Sequence, residues 1–448
     1  MKNLIYRGRT ISRVGFFGFG RSNSALLKHL TKSYQSLSFI LRSDVEVSQP
    51  FWAERTLIGR AARENFCEDI LFLSPSVRRD APEFKAAEEK GLILSSDTEF
   101  FFENKKIPVY ALTGSDGKST TAALTSFILG KESYPPAANF GTPLCELLES
   151  ATVCGAVAEL SSFQLMGFSP RTERALITNI SENHLDFHTS MEEYISAKEN
   201  ILKFSEKRIL NFDCPYGKAF LDKYPAFALF SSEKSYDEIR RAVPANHYFT
   251  AENGYVCNSG KRLFPISEIL LSGKHNLKNF LAAAALTAEL CDTDSLVRAA
   301  RSFSGLGHRC EKVYSYQGVS FYDSSIDSTP KRTKTTLSEM QTPTVLILGG
   351  RGKGLSYSPL IPLPKSVRAV VITGENRQEI YTALAPATDI PIITEKDFKR
   401  AIILAIGMAR EGDAVLLSPA STSYDCFSDY KERSAFFKEI IKGYYAER

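Results

Sequence analysis

Between residues 107 and 121 the chain reads Ile-Pro-Val-Tyr-Ala-Leu-Thr-Gly-Ser-Asp-Gly-Lys-Ser-Thr-Thr, an apolar run ending in a turn bracketed by Gly114 and Gly117. Glycines let a backbone turn tightly and bring its N–H groups close to an anion. A helix that starts there, over 122–129, points its positive end at the same place. Lys118 is placed to neutralise phosphate charge, and the Ser119 hydroxyl to bind the accompanying Mg²⁺. Gly114, Ser115, Asp116, Gly117, Lys118, Ser119 and Thr120 are therefore the expected triphosphate contacts. The spacing, T-G-x-x-G-K-S-T, is shorter than the full P-loop pattern, whose first glycine would fall at Leu112. An aspartate beside a triphosphate is unexpected, so the Asp116 carboxylate should point away or face Mg²⁺.

Other residues could complete a metal site. Glu159 ends the apolar run in 153–162, at the edge where parallel strands present ligand chemistry. With Ser119 it offers the carboxylate and hydroxyl oxygens that a hard cation takes. The strand expected over 174–180 runs into Ser181-Glu-Asn-His-Leu-Asp-Phe-His188. The pairing of His184 and His188 with Asp186 leaves a metal or catalytic role and a structural one both open. Lys198, on a helix over 191–202, reads by itself as an ordinary solvent-exposed lysine.

At 448 residues the chain is too long for one core and should form two or three domains. Hydrophobic residues at 43% and charged residues at 24% describe an ordinary globular protein, and a net charge of +4 argues neither for nor against a nucleic-acid partner. The 8 cysteines stand singly, without a C-x-x-C pair, which fits a reducing cytoplasm and no structural zinc. The start lacks the apolar stretch of a signal peptide, and no run approaches the roughly 18 apolar residues of a membrane span.

The elements that must position these residues alternate strand and helix, which implies parallel sheets and an α/β fold. Residues 13–24 read as a strand, a glycine turn and a helix start, with further strands at 37–41, 70–73 and 92–94. Gly15, Gly18 and Gly20 approach a dinucleotide fingerprint, but Asn23 and Ser24 stand where its third glycine is needed. A nicotinamide oxidoreductase is therefore not expected, while a Rossmann-like unit holding a different diphosphate remains open. Boundaries are expected near 106 and 305, giving 1–106, 107–305 and 306–448. The last part should carry strands at 319–322, 344–348, 369–373 and 414–417, and a closing helix over 430–444 with an apolar stripe at Ala435, Phe436, Ile440 and Ile441.

In chain order, the phosphate loop, E-L-S-S-F-Q-L, N-I-S-E-N-H-L-D, A-K-E-N-I-L, G-K-H-N-L-K-N and G-H-R-C-E resemble the Mur ligases over the whole chain. The short loop also resembles that of folylpolyglutamate synthetases; both groups use ATP to join an amino acid to a carboxylate. The family loop usually has Thr-Asn where this chain has Ser115-Asp116. Residues 346–354 and 416–433 resemble the members that add D-glutamate to UDP-N-acetylmuramoyl-L-alanine. The alternative is another Mur-type or folylpolyglutamate-type ligase; an inactive binding protein is the rival from another class.

The resemblance implies three domains: a Rossmann-like N-terminal one for the UDP substrate, a central P-loop ATPase-like parallel sheet, and a Rossmann-like C-terminal one for the amino acid. It implies ATP, two Mg²⁺ ions and an acyl phosphate that the D-glutamate amine attacks. Lys118, His184 and Lys198 become the catalytic residues. Ser119 and Glu159 would hold the first metal, and His184 the second together with Lys198, which the family carbamylates. Asn276, Asn279 and Arg309 match nucleotide-contacting positions. Lys353, a lysine on a glycine-rich loop after a strand, suits a D-glutamate carboxylate, and Ser423, Tyr424 and Tyr430 match the rest of that pocket. Residues 322–330 depart from the family's D-S-K-A-T-N: counting by length puts Ser324 at the aspartate and Ile326 at the lysine. Asp323 is expected to supply the carboxylate towards ATP one residue early, and Ser328 the threonine hydroxyl. Ser22 would contact the diphosphate, Asn139 and His184 the muramoyl-alanine end, and the uridine would lie near Arg42 and Ser43. The Ser74-Pro-Ser76 turn replaces the family's S-P-G. A cytoplasmic monomer, with no nucleic-acid or membrane partner, is expected.

Overall fold

The computed structural model describes residues 3–184, 187–271, 273–340 and 342–446. Leu185 and Asp186, which fall inside a motif quoted above, and Ser272, just before another, lie outside the described residues. Two compact units divide the chain, one running to Phe303 and the other from Ser304. Three larger sheets run through them, and α/β alternation places helices on their faces.

The first unit opens with a five-stranded sheet in the order Arg55–Ile58, Ser38–Ser43, Arg13–Phe17, Ile70–Leu73, Ile93–Ser95, parallel throughout. Arg13–Phe17 lies in the middle, and the chain leaves it for strands first on one side and then on the other. Ligands bind at such a switch point, beyond the carboxyl ends of the strands. Here that end is the turn Gly18–Gly20, followed by the helix Arg21–Ser33.

The second sheet of this unit has nine strands, and sequence reading had no account of its far half, from Phe204–Asn211 to Lys261–Pro265. Val109–Thr113 is fully buried and pairs in parallel with Ala156–Glu159 on one side and Arg171–Ile177 on the other. It is again the switch point, so the phosphate loop, Glu159 and the segment after Ile177 emerge side by side at one edge. Buried apolar residues on both faces explain why these strands read as continuous hydrophobic runs.

The second unit is a six-stranded sheet in the order Glu311–Tyr316, Val319–Asp323, Ala414–Leu417, Thr344–Gly349, Val367–Thr373, Ile392–Thr394. Only the first pair is antiparallel. The loops after Asp323, Gly349 and Leu417 therefore share an edge. The closing helix Tyr430–Ala446 buries Phe437 and Ile441. Of the expected stripe, Phe436 and Ile440 pack at the margin of that core.

Candidate functional site

The helix at the phosphate loop begins at Lys118, four residues earlier than its apolar pattern suggested, directly after Gly117. Lys118, Ser119 and Thr120 thus occupy its first turn, where backbone N–H groups have no intrahelical acceptor. Both glycines are required. A Cβ on Gly114 (φ 152°) would overlap the Thr178 hydroxyl, and one on Gly117 (φ 76°) would overlap Asn279 Oδ1. The loop is clasped from the neighbouring strand's end: Asp116 N donates to Asn179 Oδ1 (2.9 Å), and Asp116 O accepts from Thr178 Oγ1 (2.8 Å). Ser115 Oγ donates to Ser181 O (2.9 Å) and lies 2.9 Å from the Tyr194 hydroxyl. The Asp116 carboxylate accepts from Ser181 Oγ at 3.2 Å, so it turns towards 181. Thr178, Asn179 and Tyr194 were not singled out as loop-holding residues. The signal for the first two was a polar Thr-Asn pair ending an apolar strand.

Lys118 folds back over its own loop, donating to Gly114 O (2.9 Å) and Ser115 O (2.8 Å). Lys198 corrects the surface-lysine reading: it is 1% exposed and donates to Gly114 O at 2.7 Å and Thr113 Oγ1 at 3.3 Å. Its Nζ stands 4.6 Å from the Tyr194 ring centre. Burial, reinforced by the Lys118 charge and opposed by Glu159 and Asp116, drives its pKa well below the ordinary lysine value. Glu159 is also buried; its Oε1 accepts from Asn139 Nδ2 (2.8 Å), while Oε2 has no protein partner. A buried carboxylate oxygen left unpaired is costly, and a hard cation is the chemistry that would satisfy it. The donor set fits Mg²⁺.

His184 adopts a left-handed backbone (φ 56°) and is exposed. Its ring lies edge-on to Phe163, 5.0 Å between centres. His188 is the buried member of the pair: Nε2 lies 2.9 Å from Ser162 Oγ, the ring stacks on Phe163, and burial lowers its pKa. The capping box of Ser161 and Gln164 closes the first turn of this short helix, and its Ser162 and Phe163 meet His188 and His184. So E-L-S-S-F-Q-L and the His184 segment meet, with His184 the accessible imidazole.

A cavity of about 260 Å³ adjoins the loop, lined among others by Asp116, Asn179, Asn211, Asp213, Lys278 and Asn279. Asn279 is buried, with Nδ2 3.4 Å from Asn276 Oδ1. Both sit on the helix Lys274–Leu286. Beside the N-terminal sheet, Ser22 lies in the first turn of Arg21–Ser33, where its hydroxyl favours the charged form of the buried Asp97 carboxyl. Burial pushes Asp97 up to about 6. Arg42 is a correction. It is fully buried, paired with both oxygens of Glu68 and with the carbonyls of Ala62 and Glu64, and stacked on Phe66. A guanidinium so enclosed is structural and does not reach a uridine. Ser43 donates to Val45 O (2.8 Å).

In the second unit, Asp323 is fully buried. Oδ1 accepts from Ser325 N and Oγ (2.9 and 2.6 Å), and Oδ2 meets His308 Nδ1 (3.0 Å) and Ser434 Oγ. Burial opposes its charge, but these hydrogen bonds prevail and hold its pKa below the ordinary carboxylate value. The expected nucleotide contact is thus a carboxylate already engaged by its own fold. Ser324 is buried and accepts from Cys310 N (3.1 Å), and Ile326 is a half-buried apolar side chain, so neither replaces it. Lys353 and Ser328, assigned independently, meet at 3.1 Å. Ser423 is buried, Tyr424 is 60% exposed, and Tyr430 stands edge-on to His308. Arg309 is half-buried in the turn before Glu311–Tyr316.

A family model described as the Mur ligase middle domain matches residues 112–287, and one described as the Mur ligase, glutamate ligase domain matches 308–421. The UDP-N-acetylmuramoylalanine–D-glutamate ligases of Acetivibrio thermocellus and Clostridium novyi are 36% and 34% identical, each over 96% of this chain and 96% of its own length. Solved structures share the fold. UDP-N-acetylmuramate-alanine ligase MurC from Thermotoga maritima superposes with a TM-score of 0.59 at 19% identity, covering 97% of this chain and 100% of that one. MurF from Acinetobacter baumannii does so at 0.55 and 15%, covering 96% and 94%. Matched along nearly its whole length by relatives of one kind, the chain belongs to the Mur ligase family.

Proposed function

We propose that this protein joins the amine of D-glutamate to the terminal carboxylate of UDP-N-acetylmuramoyl-L-alanine, using ATP, in peptidoglycan precursor synthesis. The named relatives, at 36% and 34% identity over 96% of the chain, support the substrate pair. The observation that carries the chemistry is the meeting of Lys118 and Lys198 on Gly114 O, in a pocket where Glu159 has a buried oxygen without a protein partner.

ATP supplies the phosphoryl group that activates the carboxylate as an acyl phosphate, and Mg²⁺ supplies charge neutralisation. The chain's own part is positioning and electrostatics. The loop N–H groups and Lys118 bind the phosphates. Ser119 and Glu159 would hold one metal ion. His184 and Lys198 would hold a second, provided Lys198 carries a carbamate. The depressed pKa favours that modification, because the neutral amine is the form that adds to CO₂. Its lone pair forms the C–N bond, and an N–H proton leaves to water. Asn276, Asn279, Arg309 and Asp323 serve the nucleotide, the last by shaping its loop. Ser22 and Asn139 serve the UDP substrate. Lys353, Ser328, Ser423, Tyr424 and Tyr430 serve D-glutamate. Residues 1–106, 107–305 and 306–448 are the corresponding domains, in a monomer of the cytoplasm. No helix among the described residues is long and apolar enough to cross a membrane.

The test is phosphate release with ATP, UDP-N-acetylmuramoyl-L-alanine and a panel of amino acids. D-glutamate should be the preferred acceptor. Preference for L-alanine, a diamino acid or a dipeptide would assign the protein to a sibling reaction. Labelled bicarbonate and NMR test the Lys198 carbamate without reference to activity.

A further inference from the structure

Three loops at one edge of the second unit carry Ser328, Lys353, Ser423 and Tyr424, all assigned to D-glutamate: 324–328, 350–354 and 418–424. A single side chain touches two of them and reaches the third through a bridge. Arg433, 2% exposed in the first turn of the closing helix, donates from Nη2 to Ser325 O (2.9 Å) and Ser421 O (3.1 Å), and from Nη1 to Thr422 O (3.0 Å). Thr422 and Arg351 exchange backbone hydrogen bonds at 3.0 Å in both directions, and Thr422 Oγ1 adds another to Arg351 O. Two residues on, Lys353 Nζ reaches Ser328 Oγ, which closes the ring back onto the segment that Arg433 holds at Ser325. The next residue of the helix grips the same segment, since Ser434 Oγ donates to Asp323 Oδ2.

We infer that Arg433 is a positioning residue for amino-acid specificity: it sets the spacing between Lys353, Ser328 and Ser423 without touching the substrate. The chemistry needs an arginine. A planar fork can serve three carbonyl oxygens on two loops at fixed angles, whereas a lysine ammonium is a point donor on a flexible stem. Burying a guanidinium is expensive, and its Nε has no hydrogen-bond partner. A substitution by an apolar residue would spare that cost but leave Ser325 O and Ser421 O without a donor, and Thr422 O with Arg351 N alone. The unusual segment 323–328 is thereby held from one helix by two neighbouring residues. That explains how it keeps Ser328 beside Lys353 although its sequence departs from the family pattern.

The inference rests on the D-glutamate reading given above, and the test separates the two. Arg433→Lys and Arg433→Ala are compared with the parent for KM of each substrate and for hydrogen exchange. Arg433→Lys should raise the D-glutamate KM roughly ten- to hundredfold, with kcat reduced less. The KM values for ATP and the UDP substrate should stay near the parent's. Amide exchange should quicken in 324–328 and 350–354 but not across the strand Val367–Thr373. Millimolar guanidinium should restore part of the D-glutamate affinity of Arg433→Ala. If the alanine variant does not fold, the lysine variant decides. A folded lysine variant with parental D-glutamate KM and parental exchange in both loops would overturn the inference. An equal loss in every kinetic constant, with faster exchange everywhere, would reduce Arg433 to a stabilising residue and also overturn it. A parent that rejects D-glutamate fails the earlier reading alone. The exchange result, and the KM of whichever amino acid the parent accepts, then decide the inference.

Discussion

Lys118 and Lys198 share one acceptor: their ammonium nitrogens stand 2.9 and 2.7 Å from the carbonyl oxygen of Gly114. Burial lowers the Lys198 pKa, and the like charge of Lys118 on the same oxygen lowers it further. Lys118 has the way out. It is half-buried at a helix start, so an arriving polyphosphate offers it a stronger, charge-assisted partner than the carbonyls of its own loop.

Lys118→Ala should therefore lose ligation while keeping the fold. Removing a fixed cation from a developing anionic charge costs about 10²–10³ in rate. Turnover near the parent's at saturating ATP would show that this loop does not serve the transferring phosphates.

Lys198 gives a prediction about stability with the sign opposite to that for activity. Its folded pKa lies well below the ordinary 10.5. Between those values the unfolded chain holds a proton that the folded chain has shed, so stability rises with pH through that window. Lys198→Met removes the buried amine and the slope. In CO₂-free buffer at neutral pH the variant should melt no lower than the parent, yet be nearly inactive. In Lys198→Ala, which truncates the side chain, acetate should fill the vacated space and restore some turnover. A variant that runs at the parent rate with normal Mg²⁺ dependence would return Lys198 to a structural role.

Much of this site was legible because its residues are close in sequence or end strands of one parallel sheet. Gly114 to Thr120 are one turn and the start of its helix, and Glu159 ends a strand that flanks it. What stayed hidden depends on which way a side chain faces. Lys198 looked like a surface lysine because one turn of helix reads alike whether it lies on solvent or on a loop. Arg42 looked like a ligand contact because a strand-end arginine in a Rossmann-like sheet invites it, and Glu68, 26 residues on, decides otherwise. The strands from Phe204–Asn211 onwards were missed where short apolar runs are broken by polar residues, as in His247–Glu252. Arg433 was quoted in a motif, but its partners lie up to 108 residues away.

Asp97 should make the protein more stable in mild acid than its other carboxylates would allow. Burial raises its pKa from 3.8 to about 6, and Oδ1 has no hydrogen-bond partner. For a raised folded pKa the contribution is fully present below the unfolded value and is lost as pH rises through the folded one. The window is thus about pH 4 to 6. A shift of this size corresponds to roughly 3 kcal/mol as an order of magnitude. Asp97→Asn, which carries no charge at any pH, should gain on the parent across that window. Denaturant melts at pH 4 and pH 7 check this. A parent-to-variant difference that does not change between them would mean that Asp97 is already ionised in the folded state without cost.

Lys353 separates the amino-acid pocket from the phosphate loop. Its Nζ donates to Ser328 Oγ, a neutral partner, and burial followed by the Arg332 charge lowers its pKa. Held by a hydroxyl, this cation is poised for a carboxylate, which would replace a neutral hydrogen bond with a charge-assisted one. Lys353→Ala should raise the KM for D-glutamate strongly and leave that for ATP nearly unchanged. The split matters more than the size of the loss, because a general loss of stability in this unit would move both constants. The double variant with Ser328→Ala sharpens the reading. If the hydroxyl only parks the lysine, Ser328→Ala should cost little alone and nothing further on Lys353→Ala. If it binds D-glutamate directly, its effect should persist in the lysine variant. An unchanged D-glutamate KM in Lys353→Ala would move the pocket away from this edge of the sheet.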